Sequence, residues 1–304
     1  MKSDNSKLFP YIALGIGVVA LGLSPVFVSW ANAPGAVTSF YRTLVAVVIL
    51  AWPFARRLRA RGRLARHGIW MAVLGGLFFA ADLAAWTSGV NLAGATNPTL
   101  LANTAPLWVG LGALIFFREK LNMFFWAGLI LAMAGAVLIL GLDTQESVEF
   151  GLGSLFGLIS GLFYGAYFLF TQRGRETLDS LSYFWLSAVV SMIALLVLAL
   201  VVGNPLTGYP AFTYWNFLLM GVVSQAMGYL AISYALGHLP ASIVSPTLLG
   251  QPVVAALLAG PLLGERLTPP EIAGGVVVIL GVLVIHRSRQ QPKNASHKLQ
   301  VSES

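Results

Sequence analysis

The chain has 304 residues, of which 57% are hydrophobic and 10% are charged, and its formal net charge is +7. Its mean hydropathy is +0.80. Soluble domains carry roughly 25% charged residues, so the composition excludes that class and predicts a polytopic membrane protein. The chain has no cysteine, which excludes disulfides and thiolate metal sites, and its four histidines are too dispersed for a metal cluster.

Ten apolar segments follow one another, each close to the roughly 20 residues that a membrane-spanning helix needs. The first is too long for the apolar core of a cleaved signal peptide, so it is predicted to be a span. The segments lack the alternation of β-barrel strands, and the predicted fold class is an all-α membrane protein. The predicted spans are residues 10–31, 34–54, 69–91, 96–117, 122–142, 151–172, 181–203, 213–236, 241–263 and 269–286.

The orientation follows from the basic residues, which concentrate on the cytoplasmic side of membrane proteins. The connection around 55–68 holds six arginines, and placing it inside puts both termini in the cytoplasm. Sixteen of the 18 basic residues then lie inside, Arg266 lies outside and Arg42 lies within the membrane. Residues 287–304 are predicted to be a disordered cytoplasmic tail. The positive charge is therefore attributed to topology and anionic lipid, and no nucleic-acid partner is expected.

The sequence resembles itself at an offset of 146 positions. The matched residues are Pro106 with Pro252, Glu119 with Glu265, Leu121 with Leu267, Gly128 with Gly274 and Gly135 with Gly281. The chain is therefore predicted to be two five-helix repeats, 1–142 and 151–286. Since five is odd, the second repeat enters the membrane from the opposite side, and such inverted repeats are typical of secondary transporters.

Glu119 and Glu265 end the fourth span of each repeat and precede the fifth. A carboxylate there can accept backbone N–H groups at the start of the next helix, where the helix dipole favours negative charge. We interpret both as structural turn and cap residues, with a role in substrate binding or coupling as the alternative.

These residues also carry a family resemblance. A proline, an apolar span, a Glu-Arg/Lys-Leu turn and two spaced glycines resemble the EamA repeat of the drug/metabolite transporter superfamily. The segment SFYRTLVAVVIL, residues 39–50, is similar to the second helix of that repeat. The resemblance covers nearly the whole chain and is closest to YddG-type exporters of aromatic amino acids. It implies export, and it implies a structural role for Arg42.

Two charged residues lie inside predicted spans, where each is costly. Arg42 in the second span and Asp82 in the third have similar predicted depths, so adjacent antiparallel helices could pair them. The favoured interpretation is a buried ion pair between these helices. The alternative is that Asp82 faces the transport pathway, where it titrates or holds a substrate ammonium group.

The candidate substrate site consists of polar and aromatic residues on the third, fourth, sixth, eighth and ninth spans, which should point inward because lipid cannot satisfy their polar groups. They suit a mid-sized amphipathic solute. The candidates are Phe78, Asp82, Trp86, Asn103, Tyr164, Ser224, Gln225, Tyr229 and Gln251. The sixth span also carries a four-residue glycine repeat, interpreted as a helix-packing face.

The predicted function is a secondary transporter of the bacterial inner membrane that exports amino acids, aromatic ones being favoured, and related metabolites by alternating access. The alternative is an exporter of drugs or other cationic compounds with the same fold. An intramembrane enzyme is a remote alternative, because Asp82 is the only aspartate within a span and no histidine lies mid-span. The expected partners are a small-molecule substrate and the lipid bilayer, the expected state is a monomer, and neither cofactor nor metal is expected.

Overall fold

The computed structural model describes residues 5–93, 96–140, 151–263 and 268–290. All regular structure in these ranges is helical, and ten helical segments are long and apolar enough to cross a membrane. The predicted all-α class with ten spans is confirmed. The α-helices are α1 (Asn5–Gly22), α2 (Ser24–Ala31), α3 (Gly35–Arg61), α4 (Arg66–Ala93), α5 (Thr96–Ala102), α6 (Ala105–Phe116), α7 (Met123–Leu140), α8 (Leu152–Arg175), α9 (Ser180–Val201), α10 (Ala211–Met220), α11 (Tyr229–Leu236), α12 (Ala241–Thr247), α13 (Gln251–Leu263) and α14 (Pro269–Gln290).

Four of the ten spans are interrupted, which is why fourteen α-helices form them. The first span breaks before α2 and the fourth breaks between α5 and α6, and in both cases a proline occupies the first turn of the second helix. Proline suits this position because the first backbone N–H groups of a helix have no intrahelical partner. The eighth span contains a π-helical segment, Gly221–Gly228, and the ninth contains a 3₁₀ turn, Leu248–Gly250.

One end of the bundle collects the basic residues, and we call it the basic end. Helices α3, α6, α8 and α14 finish there, tied by contacts such as the ion pairs Arg57–Asp179 and Arg289–Glu119. The predicted arginine-rich connection is shorter than expected, because α3 continues to Arg61. Arginine, leucine and alanine are good helix formers, and the helix ends only at Gly62, whose φ of 74° favours glycine.

The C-terminal boundary also differs from the prediction. Helix α14 extends to Gln290, so the first residues of the predicted tail are helical, whereas residues 291–304 lie outside the described ranges. The predicted acidic connection at 143–150 lies outside them as well.

Helices that are consecutive in sequence are not the main packing partners in space. Helix α4 packs most extensively against α8, and α3 packs against α9 and the π-helical segment, while α3 and α4 touch only slightly. The glycine face of α8 allows close approach to the fourth span. A Cβ atom at Gly157 would lie 2.7 Å from Pro98 Cα, and one at Gly165 would lie 2.9 Å from Trp108 Cβ.

Helices α7 and α14 form a second extensive contact through two reciprocal glycine pairs. A Cβ atom at Gly128 would lie 2.9 Å from the carbonyl oxygen of Gly281, and one at Gly135 would lie 2.7 Å from that of Gly274. These are the residues that the 146-residue offset makes equivalent, so the contact has the reciprocal pattern of a two-fold axis.

Candidate functional site

Asp82 is buried in α4, and its partner is Ser160 of α8. The Ser160 hydroxyl donates to Asp82 Oδ1 at 2.5 Å, and both side chains are buried. The expected ion pair between Asp82 and Arg42 is wrong, since no such pair within 4 Å occurs in the described part of the chain. The reason is packing, because α4 turns its Asp82 face toward α8 and has little contact with α3.

Arg42 nevertheless lies near the same place. Its guanidinium interacts electrostatically with Asp82 and Tyr229, and it also donates a side-chain hydrogen bond to the Tyr229 hydroxyl. The residue is only 8% exposed, and its Nε atom has no hydrogen-bond partner in the described ranges. Among the described residues, the buried Asp82 carboxylate and the buried Arg42 guanidinium therefore interact without a direct ion pair.

Aromatic rings surround these charges. The hydroxyl groups of Tyr164 and Tyr229 lie 3.3 Å apart, and Tyr167 lies 6.1 Å from Tyr229 between ring centroids. Phe79 packs edge-on against Tyr229 at 4.9 Å and is almost fully buried. We call Arg42, Asp82, Ser160, Tyr164 and Tyr229 the central cluster.

Phe79 and Ser160 were missed by sequence reasoning. Phe79 lies three residues before Asp82, so helical spacing placed it on nearly the same face. The predicted neighbour Phe78 points elsewhere, with its ring stacked 5.2 Å from Phe170. Ser160 gave no signal, because the glycines beside it indicated only packing.

The π-helical segment carries two predicted site residues with different environments. The Ser224 hydroxyl donates to the carbonyl oxygen of Ala20 at 2.9 Å, which ties the segment to α1. Gln225 is fully buried, and neither its Oε1 nor its Nε2 atom has a hydrogen-bond partner in the described ranges.

Three other predicted site residues have contact partners outside the central cluster. Trp86 Nε1 donates to Thr99 Oγ1, and Asn103 Nδ2 donates to the Thr99 carbonyl oxygen, both at 2.9 Å. Gln251 is the first residue of α13 and its carbonyl oxygen lies near Gly22, with no described contact to the central cluster. The structure thus brings together Asp82, Tyr164 and Tyr229, and leaves Trp86 and Asn103 on a second polar patch around Thr99.

At the basic end, Glu119 joins the two halves of the chain. Its Oε2 atom accepts hydrogen bonds from Ser242 Oγ at 2.6 Å and from the Arg289 guanidinium at 2.5 Å. We call these three residues the basic-end contact. The expected capping role falls to Asn122, whose side chain accepts the backbone N–H of Phe125 at 3.0 Å. The equivalent Glu265 lies outside the described residues.

Asp179, which precedes α9, connects that helix to α3 at the basic end through its ion pair with Arg57. Burial acts to raise its pKa, but hydrogen bonds from Ser182 and the ion pair with Arg57 outweigh burial and hold the pKa below its usual value. A cavity of about 190 Å³ opens beside this pair, lined in part by Gly62 and Arg63. It lies at the surface, far along the bundle from the central cluster.

Within the described ranges, no three histidine or acidic residues are grouped to hold a metal.

Comparison with known proteins gives two matches to one family. The model of the EamA-like transporter family matches residues 8–141 and again residues 151–287. An uncharacterized transporter from Archaeoglobus fulgidus is 27% identical over 266 residues, which cover 83% of this chain and 88% of that protein. YoaV of Bacillus subtilis, also an uncharacterized transporter, is 23% identical over 219 residues, which cover 70% of this chain and 73% of that protein.

Further similarities extend the same picture. An uncharacterized transporter from Clostridium kluyveri is 25% identical over 186 residues, and this chain spans 59% of that protein's length. A solved crystal structure superposes with a TM-score of 0.74 at 17% identity, covering 93% of this chain and 97% of the other. The names of these proteins give no substrate, and the structural likeness shows the fold alone.

Proposed function

Because the chain belongs to the EamA-like transporter family, we propose that this multi-pass membrane transporter exports amino acids, favouring aromatic ones, across the bacterial inner membrane. The family match and the ten spans support a transporter rather than an enzyme. The cargo, the direction and the identity of the membrane are our proposal.

The observation that carries the proposal is the central cluster. Charged groups inside a membrane protein are costly and usually serve function. Here a buried carboxylate and a buried guanidinium coexist without an ion pair, beside the hydroxyls and rings of Tyr164 and Tyr229. A zwitterion with an aromatic side chain complements all of these features, with its ammonium group at Asp82 and its ring against the tyrosines.

The packing of the fourth and ninth spans supports alternating access. At the basic end, α6 and α12 pack against each other, and the basic-end contact joins the same region. At the opposite end, α5 and α13 make no contact of comparable extent among the described residues. We infer a conformation that is closed at the basic end and open at the other, and we propose that the basic-end contact breaks when the cargo enters.

The inverted repeat and the orientation complete the proposal. The double family match and the reciprocal glycine pairs of α7 and α14 support two repeats related by a two-fold axis. We place the basic end in the cytoplasm, following the positive-inside rule. In intact cells, a cysteine at exposed Arg63 should resist a membrane-impermeant maleimide, while one at exposed Thr207 should react, and the reverse pattern would invert this orientation.

A specific observation also favours a second candidate function. Asp82 and its aromatic neighbours would suit a hydrophobic cation, as an exporter of drugs or related compounds requires. The two functions differ in whether the cargo carries a carboxylate.

Transport by purified protein in liposomes tests the proposal. We expect efflux of labelled phenylalanine that responds to a proton gradient, and we expect Asp82→Asn to fold normally but lose that response. The asparagine keeps a hydrogen-bond acceptor for Ser160 while removing the titrating charge. Asp179→Asn, outside the spans, serves as the control and should keep the gradient response. Transport of a cationic dye without any amino-acid transport would favour the second function instead.

A further inference from the structure

Two buried side chains near the centre of the bundle have unpaired polar atoms. Gln225 is fully buried, and neither its amide oxygen nor its amide nitrogen has a hydrogen-bond partner among the described residues; Arg42 is nine-tenths buried, and its Nε atom likewise has none there. Buried polar atoms are nearly always hydrogen-bonded in folded proteins, so each exception requires an explanation. A ligand that supplies the missing partners is one such explanation.

The spacing of residues in the eighth span places Gln225 on the helix face that packs toward Arg42. Gly221, Gln225 and Tyr229 follow one another at four-residue steps, so they lie close to one line along the helix. A Cβ atom at Gly221 would lie 2.9 Å from the backbone carbonyl oxygen of Arg42, and the Arg42 guanidinium donates a hydrogen bond to the Tyr229 hydroxyl, which leaves its other N–H groups for a ligand. Gln225 therefore lies between Gly221, which packs on the Arg42 backbone, and Tyr229, whose side chain interacts with the Arg42 guanidinium, and this placement favours a Gln225 side chain that faces the same space.

The local helix geometry is unusual at this point. Gly221–Gly228 is a π-helical segment, and such segments are rare and frequently occur at functional sites. Ser224 fastens the segment to α1 through the Ala20 carbonyl oxygen, and Gly221 allows its close approach to α3 at Val45. The segment is thus held on both sides while Gln225 is left unpaired.

The side chains of Arg42 and Gln225 supply mainly hydrogen-bond donors. A guanidinium presents five N–H donors in a planar fork and accepts no hydrogen bond, and an amide presents two more donors beside its one acceptor oxygen. The nearby carboxylate of Asp82 is already engaged by Ser160. We propose that Arg42 and Gln225 form a subsite for the carboxylate group of the transported solute, with the two carboxylate oxygens facing the guanidinium fork.

This inference rests on the proposed transport function for its ligand, and it gives Arg42 a binding role in place of the structural one expected from sequence. It also assigns different binding roles to Asp82 and to Arg42. Asp82 serves the cationic end of the solute, and Arg42 with Gln225 serves the anionic end.

Three probes with the same phenyl group distinguish recognition of the carboxylate end of the solute from recognition of its ammonium end. L-phenylalanine carries both charges, 3-phenylpropanoate carries only the carboxylate, and phenethylamine carries only the ammonium group. Binding to the purified full-length protein in detergent is measured by calorimetry together with the melting temperature. We expect 3-phenylpropanoate and phenylalanine to bind, and phenethylamine to bind at least tenfold more weakly than phenylalanine.

Two variants and a matched control localise the effect. Gln225→Leu should weaken binding of both carboxylate probes about tenfold, leave phenethylamine unchanged and not lower the melting temperature of the ligand-free protein, because it removes unpaired polar atoms. Arg42→Lys should weaken the same two probes, since a lysine lacks the fork. The control is Asn216→Leu in the same span, whose buried amide donates to the Phe212 carbonyl oxygen. It should lower the melting temperature without changing probe affinity.

The outcomes distinguish this inference from the proposed function. If phenethylamine binds as tightly as phenylalanine, or if Gln225→Leu lowers the melting temperature without weakening the carboxylate probes, the subsite is wrong even when amino acids are transported. If phenylalanine is not transported but 3-phenylpropanoate still binds through Arg42 and Gln225, the amino-acid function fails and the subsite stands. If no carboxylate probe binds, the subsite is overturned.

Discussion

Asp179 illustrates how a single side chain can serve two elements at once. Its carboxylate accepts the Ser182 backbone N–H at 3.1 Å, which caps α9, and it forms the ion pair with Arg57 of α3 at 2.8 Å. These interactions favour the charged form and lower its pKa in the folded state. A lowered folded pKa contributes stability above the unfolded pKa of about 3.9, and the contribution disappears as the pH falls through the folded value.

We therefore predict that replacing Asp179 destabilises the protein only where the carboxylate is charged. Asp179→Asn keeps a good helix cap but loses the ion pair, which should lower the free energy of unfolding at pH 7 by up to about 1 kcal/mol. The difference from the parent protein should shrink as the pH falls below about 4 and disappear only below the folded pKa. Thermal melting in detergent at pH 3–7 measures it.

The control for this prediction is Glu176→Gln. Glu176 forms an exposed ion pair with Arg173, and exposed pairs contribute little, so its melting temperature should stay close to that of the parent at every pH. An Asp179→Asn effect that persists unchanged at pH 3 would mean that the ion pair is not its cause.

At the scale of whole helices, close packing depends on individual glycines rather than on glycine content. Gly274 and Gly275 are neighbours in α14, yet a Cβ atom at Gly274 would lie 2.7 Å from the Gly135 carbonyl oxygen, whereas one at Gly275 would meet only Val253 Cγ1 at 3.6 Å. The first distance is too short for any real Cβ, and the second is ordinary contact. Of these two neighbouring glycines, therefore, only Gly275 has room for a methyl group, and Gly274 does not.

Adjacent alanine substitutions test this difference. Gly274→Ala should destabilise the protein by about 1–3 kcal/mol, because the two helix backbones must move apart. Gly275→Ala should be neutral or stabilising by up to about 1 kcal/mol through its better helix propensity. Melting temperatures of the two purified variants decide between them, and equal destabilisation of both would contradict the packing described for α7 and α14.

At the scale of the whole molecule, the basic-end contact lies where the alternating access that we propose would require a gate. Glu119 comes from the first half of the chain, and Ser242 and Arg289 come from the second. The Asn122–Ser288 contact also joins the two halves, but it lies between the ends of the packed helices α7 and α14. We expect the Glu119–Ser242 hydrogen bond to open during transport, whereas the Asn122–Ser288 contact should stay closed.

Cysteine pairs test this expectation cleanly, because the chain has no native cysteine. In Glu119→Cys/Ser242→Cys, a short thiol-specific cross-linker should reduce amino-acid transport in liposomes to background, while the same protein should transport before cross-linking. In Asn122→Cys/Ser288→Cys, cross-linking should leave transport largely intact. Full transport by the cross-linked 119/242 protein would rule out a gate at this end.

The sequence predicted the inward position of some polar residues but not their partners. The interior position of Asp82, Tyr164 and Tyr229 followed from the rule that polar groups in apolar spans must point inward, which is a rule about single residues. The Arg42–Asp82 pair was wrong because it assumed that consecutive helices are neighbours, whereas α3 packs on α9 and α4 on α8. Glu119 was identified as a turn residue, but its partners lie 123 and 170 residues away.

The sequence by itself determined the all-helical class and the ten spans, because transfer of a segment into the bilayer depends on its own length and hydropathy. It also carried the internal repeat and the family resemblance, which are properties of residue order. Only the tertiary structure decided which helices touch, that Asp82 bonds to Ser160, and that Gln225 and Arg42 keep unpaired atoms. In a membrane every helix is apolar enough to face lipid, so helix partners are chosen by local shape and by single polar contacts, and neither is visible in hydropathy.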